Sequence, residues 1–135
     1  MQKTFALIKP DAVAAGNTGA IISRIEKEGF TIAGMRKMKI TRAQAEAFYG
    51  VHKARPFFGE LVSFITSGPV VALALEKADA ISAWRDLMGA TNPAQAAEGT
   101  LRKEFGTSIG TNATHGSDAA ETAQFELALF FPEIG

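Results

Sequence analysis

The order of apolar segments in this 135-residue chain predicts an α+β sandwich of ferredoxin-like type. A four-stranded antiparallel sheet would carry helices on one face, with a helical hairpin inserted in the chain. Three observations lead there. Short runs rich in Val, Ile, Leu and Phe alternate with segments of helical period, the elements fall into two βαβ-like halves, and two helical segments follow one another after the second strand. With 47% hydrophobic and 21% charged residues the chain has the apolar material for one core, so a single domain over 1–135 is expected.

Thr4 to Ile8 is short and apolar, a buried strand halted at Lys9-Pro10-Asp11, where proline cannot donate to a ladder and aspartate favours a turn. Lys9 therefore stands at the carboxyl end of a strand. Asn17 and Thr18 can cap a helix whose Ile21, Ile22 and Ile25 recur at helical spacing and which stops at Gly29. Ile32, Met38 and Ile40, set against Lys37 and Lys39, read as one apolar face of a second strand. Thr41 caps a helix from Arg42 to about Gly50, and Pro56 opens another over Phe57 to Thr66, which Ser67-Gly68 breaks. These two form the hairpin. A third strand spans Pro69 to Glu76, and a helix runs from Asp79 to Met88 and closes at Gly89. Ala90 to Thr114 is a long irregular stretch with Asn92-Pro93, Gly99, Gly106 and Gly110, and ordered loops of that length are usually functional. Asp118-Ala119-Ala120-Glu121 has capping-box spacing and starts a short helix, after which Phe125, Leu127, Leu129 and Phe131 alternate as a fourth strand ended by Pro132.

A formal net charge of zero argues against a broad electrostatic footprint for nucleic acid or anionic lipid, so any anion must be met locally. The lack of cysteine excludes disulfides, thiolate metal sites and thiol catalysis, and suits a reducing compartment; a cytoplasmic location is the expectation. The apolar segment ending at Lys9 is too short for a secretory core, and no run approaches a membrane span.

One of only two histidines, His115, lies in Asn112-Ala113-Thr114-His115-Gly116-Ser117-Asp118 between small and hydrogen-bonding neighbours, just ahead of a helix start. An imidazole there is suited to accept a transferred group near neutral pH, although taken alone a histidine in a polar, glycine-containing loop is more often a solvated loop residue. Lys9, Tyr49, Arg85, Thr91, Asn92, Arg102 and Asn112 also stand at element ends or in the long loop. Arginines and a lysine beside a nucleophilic histidine suit a phosphoryl group, whose charge spreads over oxygens that guanidinium forks bind in pairs. Taken singly, each cation reads better as a solvated surface charge. No GxxxxGK[ST] loop and no GxGxxG after a strand occurs, so side chains would have to hold a nucleotide. Phe57 is either a base-stacking ring or core, and His52 reads as surface or structural. No His/Glu cluster has metal-ligand spacing, which leaves magnesium to arrive on substrate phosphates.

Several ordered motifs carry a closer likeness: Ile8-Lys9-Pro10-Asp11, Tyr49 with His52 to Phe58, Ser67-Gly68-Pro69-Val70, Met88 to Pro93, Gly99 to Arg102, and Asn112 to Asp118. From Thr4 to about Phe131 the chain resembles a bacterial nucleoside diphosphate kinase. That resemblance implies a ping-pong exchange in which His115 takes the γ-phosphoryl group of a nucleoside triphosphate, such as ATP, and passes it to a diphosphate. It implies that Lys9, Arg85, Arg102 and Thr91 meet the phosphates, that Asn112 binds the sugar hydroxyl, and that Phe57 stacks on the base. Tyr49 would position the histidine region and the phosphates, Ser117 and Glu126 would support the imidazole, and Asp118 would assist Mg2+ through water. Weak discrimination among bases follows, since every base offers a π-face. The family likeness also implies a homo-oligomer, a hexamer or tetramer, although the chain ends at Gly135 without the longer tail that some relatives use in subunit contacts. Two other classes compete with this reading: a non-catalytic nucleotide-binding regulator, and a phosphocarrier charged by a protein donor. Both leave Lys9, Arg85, Thr91, Arg102 and Asn112 without a joint explanation.

Overall fold

A computed structural model describes residues 1–134. In chain order the elements are β1 (Gln2–Ile8), α1 (Pro10–Ala14), α2 (Thr18–Lys27), β2 (Thr31–Met38), α3 (Arg42–Phe48), α4 (Phe58–Ile65), β3 (Val70–Lys77), α5 (Ala80–Met88), α6 (Leu101–Phe105), β4 (Thr114–Gly116) and α7 (Ala120–Phe130). Single 3-10 turns occupy Gly50–His52 and Pro93–Gln95. The strands form one sheet in the order β2-β3-β1-β4, and every neighbouring pair is antiparallel. The ferredoxin-like α+β architecture is therefore present, with α3 and α4 as the inserted hairpin.

Apolar residues face both ways from β1 and β3, which is why neither strand alternates in sequence. On one face Ala6, Ile8, Leu73 and Leu75 pack with Ile21 and Ile25 of α2 and with Trp84 and Met88 of α5. On the other, Phe5, Leu7, Val70, Ala72 and Ala74 meet Phe48 of α3, Val62 and Ile65 of α4, and Leu127 and Phe130 of α7. Helices on one face thus describes α2 and α5 only. The hairpin and α7 cover the opposite face.

The largest departure from the sequence reading is the fourth strand. Phe125, Leu127, Leu129 and Phe131 alternate along the chain, yet 120–130 is an 11-residue helix whose buried positions Ala123, Glu126, Leu127 and Phe130 follow helical spacing. The alternation misled because Phe125 is exposed and Phe131 lies just past the helix end. The capping-box spacing at Asp118 to Glu121 is not used either. Helix α7 starts at Ala120, and the Thr122 hydroxyl accepts from Asp118 N at 3.1 Å and from Ala119 N at 2.9 Å, while Asp118 turns to Arg85.

Strand β4 is instead the three residues around His115, paired with β1 so that Leu7 opposes His115 and Ile8 opposes Thr114. Proline at the first position of α1 initiates a helix where a turn was read at Lys9-Pro10-Asp11. Within 90–114, Thr100 caps α6 by accepting from Lys103 N, a helix that its flanking glycines hid in the sequence. A bulge between Ile32 and Gly34 shifts the parity of β2. Ile32 therefore packs with the α2/α5 core and Met38 with the other, so the two do not share a face. Ile40, buried beyond the strand end, joins Met38. The Thr41 cap is present and is closed into a capping box by Gln44.

Candidate active site

His115 lines a cleft of about 730 Å3 walled by the α3 to α4 hairpin, the start of α7 and residues of the 89–112 segment. Pairing of β4 with the end of β1 sets His115 near Lys9, although they are far apart in sequence. Of the residues expected at the site, Lys9, Tyr49, Phe57, Arg85, Thr91, Arg102, Asn112, Asp118 and Glu126 all line this cleft with His115. Ser117 is the exception: it lies buried behind the imidazole.

That buried layer fixes the ring. Glu126, 7% exposed on α7, brings Oε1 to 3.3 Å from His115 Nε2, and Ser117 Oγ donates to the same oxygen at 2.6 Å. A carboxylate can only accept, so Nε2 carries the proton and Nδ1 holds the lone pair. The ring packs edge-on to Phe48 at 4.8 Å between centroids, and the His115 carbonyl accepts from Trp84 Nε1 at 3.1 Å. Gly116 makes that approach possible, because a Cβ there would lie 2.6 Å from Trp84 Nε1.

Cations gather on one side of the cleft. Lys9 Nζ donates to Asn112 Oδ1 at 2.9 Å, and Asn112 Nδ2 donates to the Thr91 carbonyl at 2.9 Å. Burial pushes the Lys9 ammonium down to about 8; Asp11 opposes that shift and Arg102 adds to it. Arg102 donates to the carbonyls of Gly89 at 3.1 Å and Thr114 at 3.0 Å, while its buried Nε has no partner among the described residues. Burial, and then the neighbouring Arg85, lower its pKa from the ordinary arginine value, with Asp118 opposing. Arg85 Nη1 donates to Asp118 Oδ1 at 2.7 Å, an exposed pair at the mouth. Burial and the Glu126 carboxylate push the Tyr49 phenol up to about 12, so it stays protonated and able to donate.

Phe57 is 43% exposed beside His52, with 5.5 Å between ring centroids, which removes the core reading for Phe57 and brings His52 into the lining. Among the described residues no group of three or more His, Cys, Asp or Glu side chains could hold a metal ion, and no helix is long and apolar enough to cross a membrane. Trp84 and the α7 residues Glu121 and Phe125 also border or support the cleft and carry no sequence expectation as site residues. The tryptophan on an amphipathic helix was the one available signal; the α7 residues were hidden by the strand reading.

The model of the family described as nucleoside diphosphate kinase matches residues 2–134. The nucleoside diphosphate kinase of Desulfotalea psychrophila is 59% identical over 131 residues, covering 97% of this chain and 96% of that protein. Among solved structures, the Aquifex aeolicus nucleoside diphosphate kinase superposes with a TM-score of 0.94 at 44% identity, covering 96% of this chain and 94% of its own. A Halobacterium salinarum nucleoside diphosphate kinase in complex with CDP gives 0.93 at 45%, over 96% and 87%. With nearly its whole length matched in sequence and in backbone, the chain belongs to the nucleoside diphosphate kinase family.

Proposed function

We propose that His115 Nδ1 is the atom through which this chain passes a phosphoryl group between nucleotides. The family reaction, transfer of the γ-phosphoryl group from a nucleoside triphosphate to a diphosphate through a phosphohistidine, is the activity of this chain. The observation that carries the assignment of the atom is the Ser117–Glu126–His115 line, which leaves Nδ1 as the unprotonated nitrogen of an imidazole in a cation-lined cleft.

In the first half-reaction the Nδ1 lone pair attacks the γ-phosphorus in line, the bond to the β-phosphate oxygen breaks with its electron pair, and the diphosphate leaves. The ring becomes cationic, its Nε2 proton stays in place, and Glu126 stabilises that charge. The second half-reaction reverses these steps with a different diphosphate. Lys9, Arg85 and Arg102 neutralise the charge on the moving group, with Thr91 as a further phosphate partner. Tyr49 donates toward the phosphates, Asn112 meets the sugar hydroxyl, and the exposed Phe57 ring supplies a stacking face that does not read base edges. Mg2+ enters as part of the nucleotide, screening the phosphate charge. Asp118, which lines the cleft, would meet its water shell.

We further read the chain as a cytoplasmic homo-oligomer, hexamer or tetramer. The absence of cysteine and the exposed Met35 and Val51 side chains support this, and light scattering on the purified protein measures the subunit number. The test of the main reading is incubation with γ-labelled ATP. Acid-labile, alkali-stable label should appear on the protein and be discharged by GDP or CDP, and His115→Ala should abolish both labelling and turnover. Label that persists without exchange, or that survives in the variant, rejects the assignment.

A further inference from the structure

The segment between Asn112 and His115 makes an unusual turn. Thr114 N donates to Asn112 O at 2.9 Å, a hydrogen bond spanning two residues, and the central residue, Ala113, has φ of +74°. A γ-turn of this hand is rare and strained for a residue with a Cβ. It persists only where its surroundings hold it.

Here the holders are identifiable. Lys9 N donates to Ala113 O at 2.8 Å, and Ala113 N donates to Asp11 Oδ2 at 3.1 Å, so both polar groups of the buried alanine are gripped by the β1 to α1 corner. Backbone holds the carbonyl, but a side chain alone holds the amide. The other Asp11 oxygen, Oδ1, is buried with no partner among the described residues, so the Ala113 amide is the one donor the carboxylate meets among them. On either side of the turn stand Asn112, in contact with Lys9 Nζ, and the β4 strand that bears His115. Asp11 itself, unlike its neighbour Lys9, carries no part in the transfer chemistry described above.

We propose that Asp11 is a positioning residue for phosphoryl transfer, clamping the Ala113 amide so that the strained turn sets Asn112 and His115 in register across the cleft. Without the carboxylate, Ala113 relaxes out of positive φ and both neighbours move together. The proposal rests on His115 as the acceptor but is separable from it: loss of label in His115→Ala tests the acceptor, and the following comparison tests the clamp.

The experiment is the single-turnover rate of labelling from γ-labelled ATP, with the diphosphate KM measured alongside. Asp11→Ala should slow labelling on the order of 100-fold, the size of effect that small misplacements of a reacting group produce. Glycine populates positive φ freely, so Asp11→Ala combined with Ala113→Gly should recover to within about threefold of Ala113→Gly alone. Asp11→Asn, which keeps an oxygen acceptor, should hold most of the rate even if Asp11→Ala folds poorly. If Asp11→Asn is as slow as Asp11→Ala and glycine restores nothing, the residue acts through its charge on Lys9 and the clamp is wrong. An unchanged rate in Asp11→Ala overturns it as well.

Discussion

Glu126→Gln isolates the electrostatic part of the mechanism. One oxygen, Oε1, accepts from Ser117 Oγ at 2.6 Å and faces His115 Nε2 at 3.3 Å. In the variant the Ser117 hydroxyl still needs an acceptor there, so the amide oxygen takes that place and the imidazole tautomer is kept. Only the negative charge is removed. At 3.3 Å a full pair of charges interacts by about 5 kcal/mol at an effective dielectric of 20. If about half of the imidazolium charge has developed in the transition state, the loss is roughly 2.5 kcal/mol, a fall of about 70-fold in the phosphorylation rate. Rapid-quench labelling of the enzyme with γ-labelled ATP reads that step directly, and nucleotide KM should barely move because the carboxylate touches no substrate. An unchanged rate, or a loss confined to KM, would refute the view that Glu126 stabilises the phosphorylated ring.

Three further perturbations follow from the same geometry. Lys9→Met should lose most activity yet stabilise the fold at pH 7, because the wild type buries an ammonium whose pKa falls from 10.5 to about 8. The corresponding shift is about 3 kcal/mol at most, and about 1 kcal/mol should survive the loss of the Lys9 hydrogen bonds. The unfolded chain binds the extra proton between about pH 8 and 10.5, so wild-type stability rises over that window and the advantage of the variant should shrink there in pH-dependent melts. Gly116→Ala forces a Cβ to within 2.6 Å of Trp84 Nε1 and should cost about 1–3 kcal/mol in chemical denaturation while displacing His115. Phe57→Ala should leave the melting temperature nearly unchanged, since the ring is 43% exposed, and should raise nucleotide KM about tenfold for all bases alike.

The parts of the fold that were legible in the sequence are those where one signal dominates. β1 and β3 hold the apolar runs Phe5 to Ile8 and Val70 to Leu75, α2 has isoleucines at helical spacing between an Asn-Thr start and Gly29, and Thr41 caps α3. The failures share a cause: local pattern was overruled by contacts distant in sequence. Phe125 to Phe131 alternates like a strand, but the β1 edge is taken by Thr114 to Gly116, and the alternating residues are wound into a helix that buries Glu126 beside His115. A one-residue bulge, invisible in composition, reversed the faces of β2. The cleft residues were recognisable as chemistry-bearing types and as family motifs, and Asp11 and Gly116 lie within those motifs, but the contacts by which they and Trp84 support the cleft are encoded in no local pattern.

The cation side of the cleft is built against its own electrostatic interest. Lys9 and Arg102 are partly desolvated, each lies in the other's or Arg85's field, and the pKa of both is lowered from its ordinary value. Arg85, the more exposed of the two arginines, has a carboxylate partner in Asp118, whereas among the described residues Arg102 is held by backbone carbonyls alone. Carbonyls orient a guanidinium without neutralising it. A polyphosphate entering between these groups reverses each penalty at once, so charge repulsion in the empty cleft reappears as affinity when an anion binds. The histidine faces the same logic from the other side. Its support is an anion, Glu126, which fixes the neutral ring and on the proposed mechanism gains its full electrostatic value once that ring carries positive charge, with the cations of the cleft meeting the phosphoryl group.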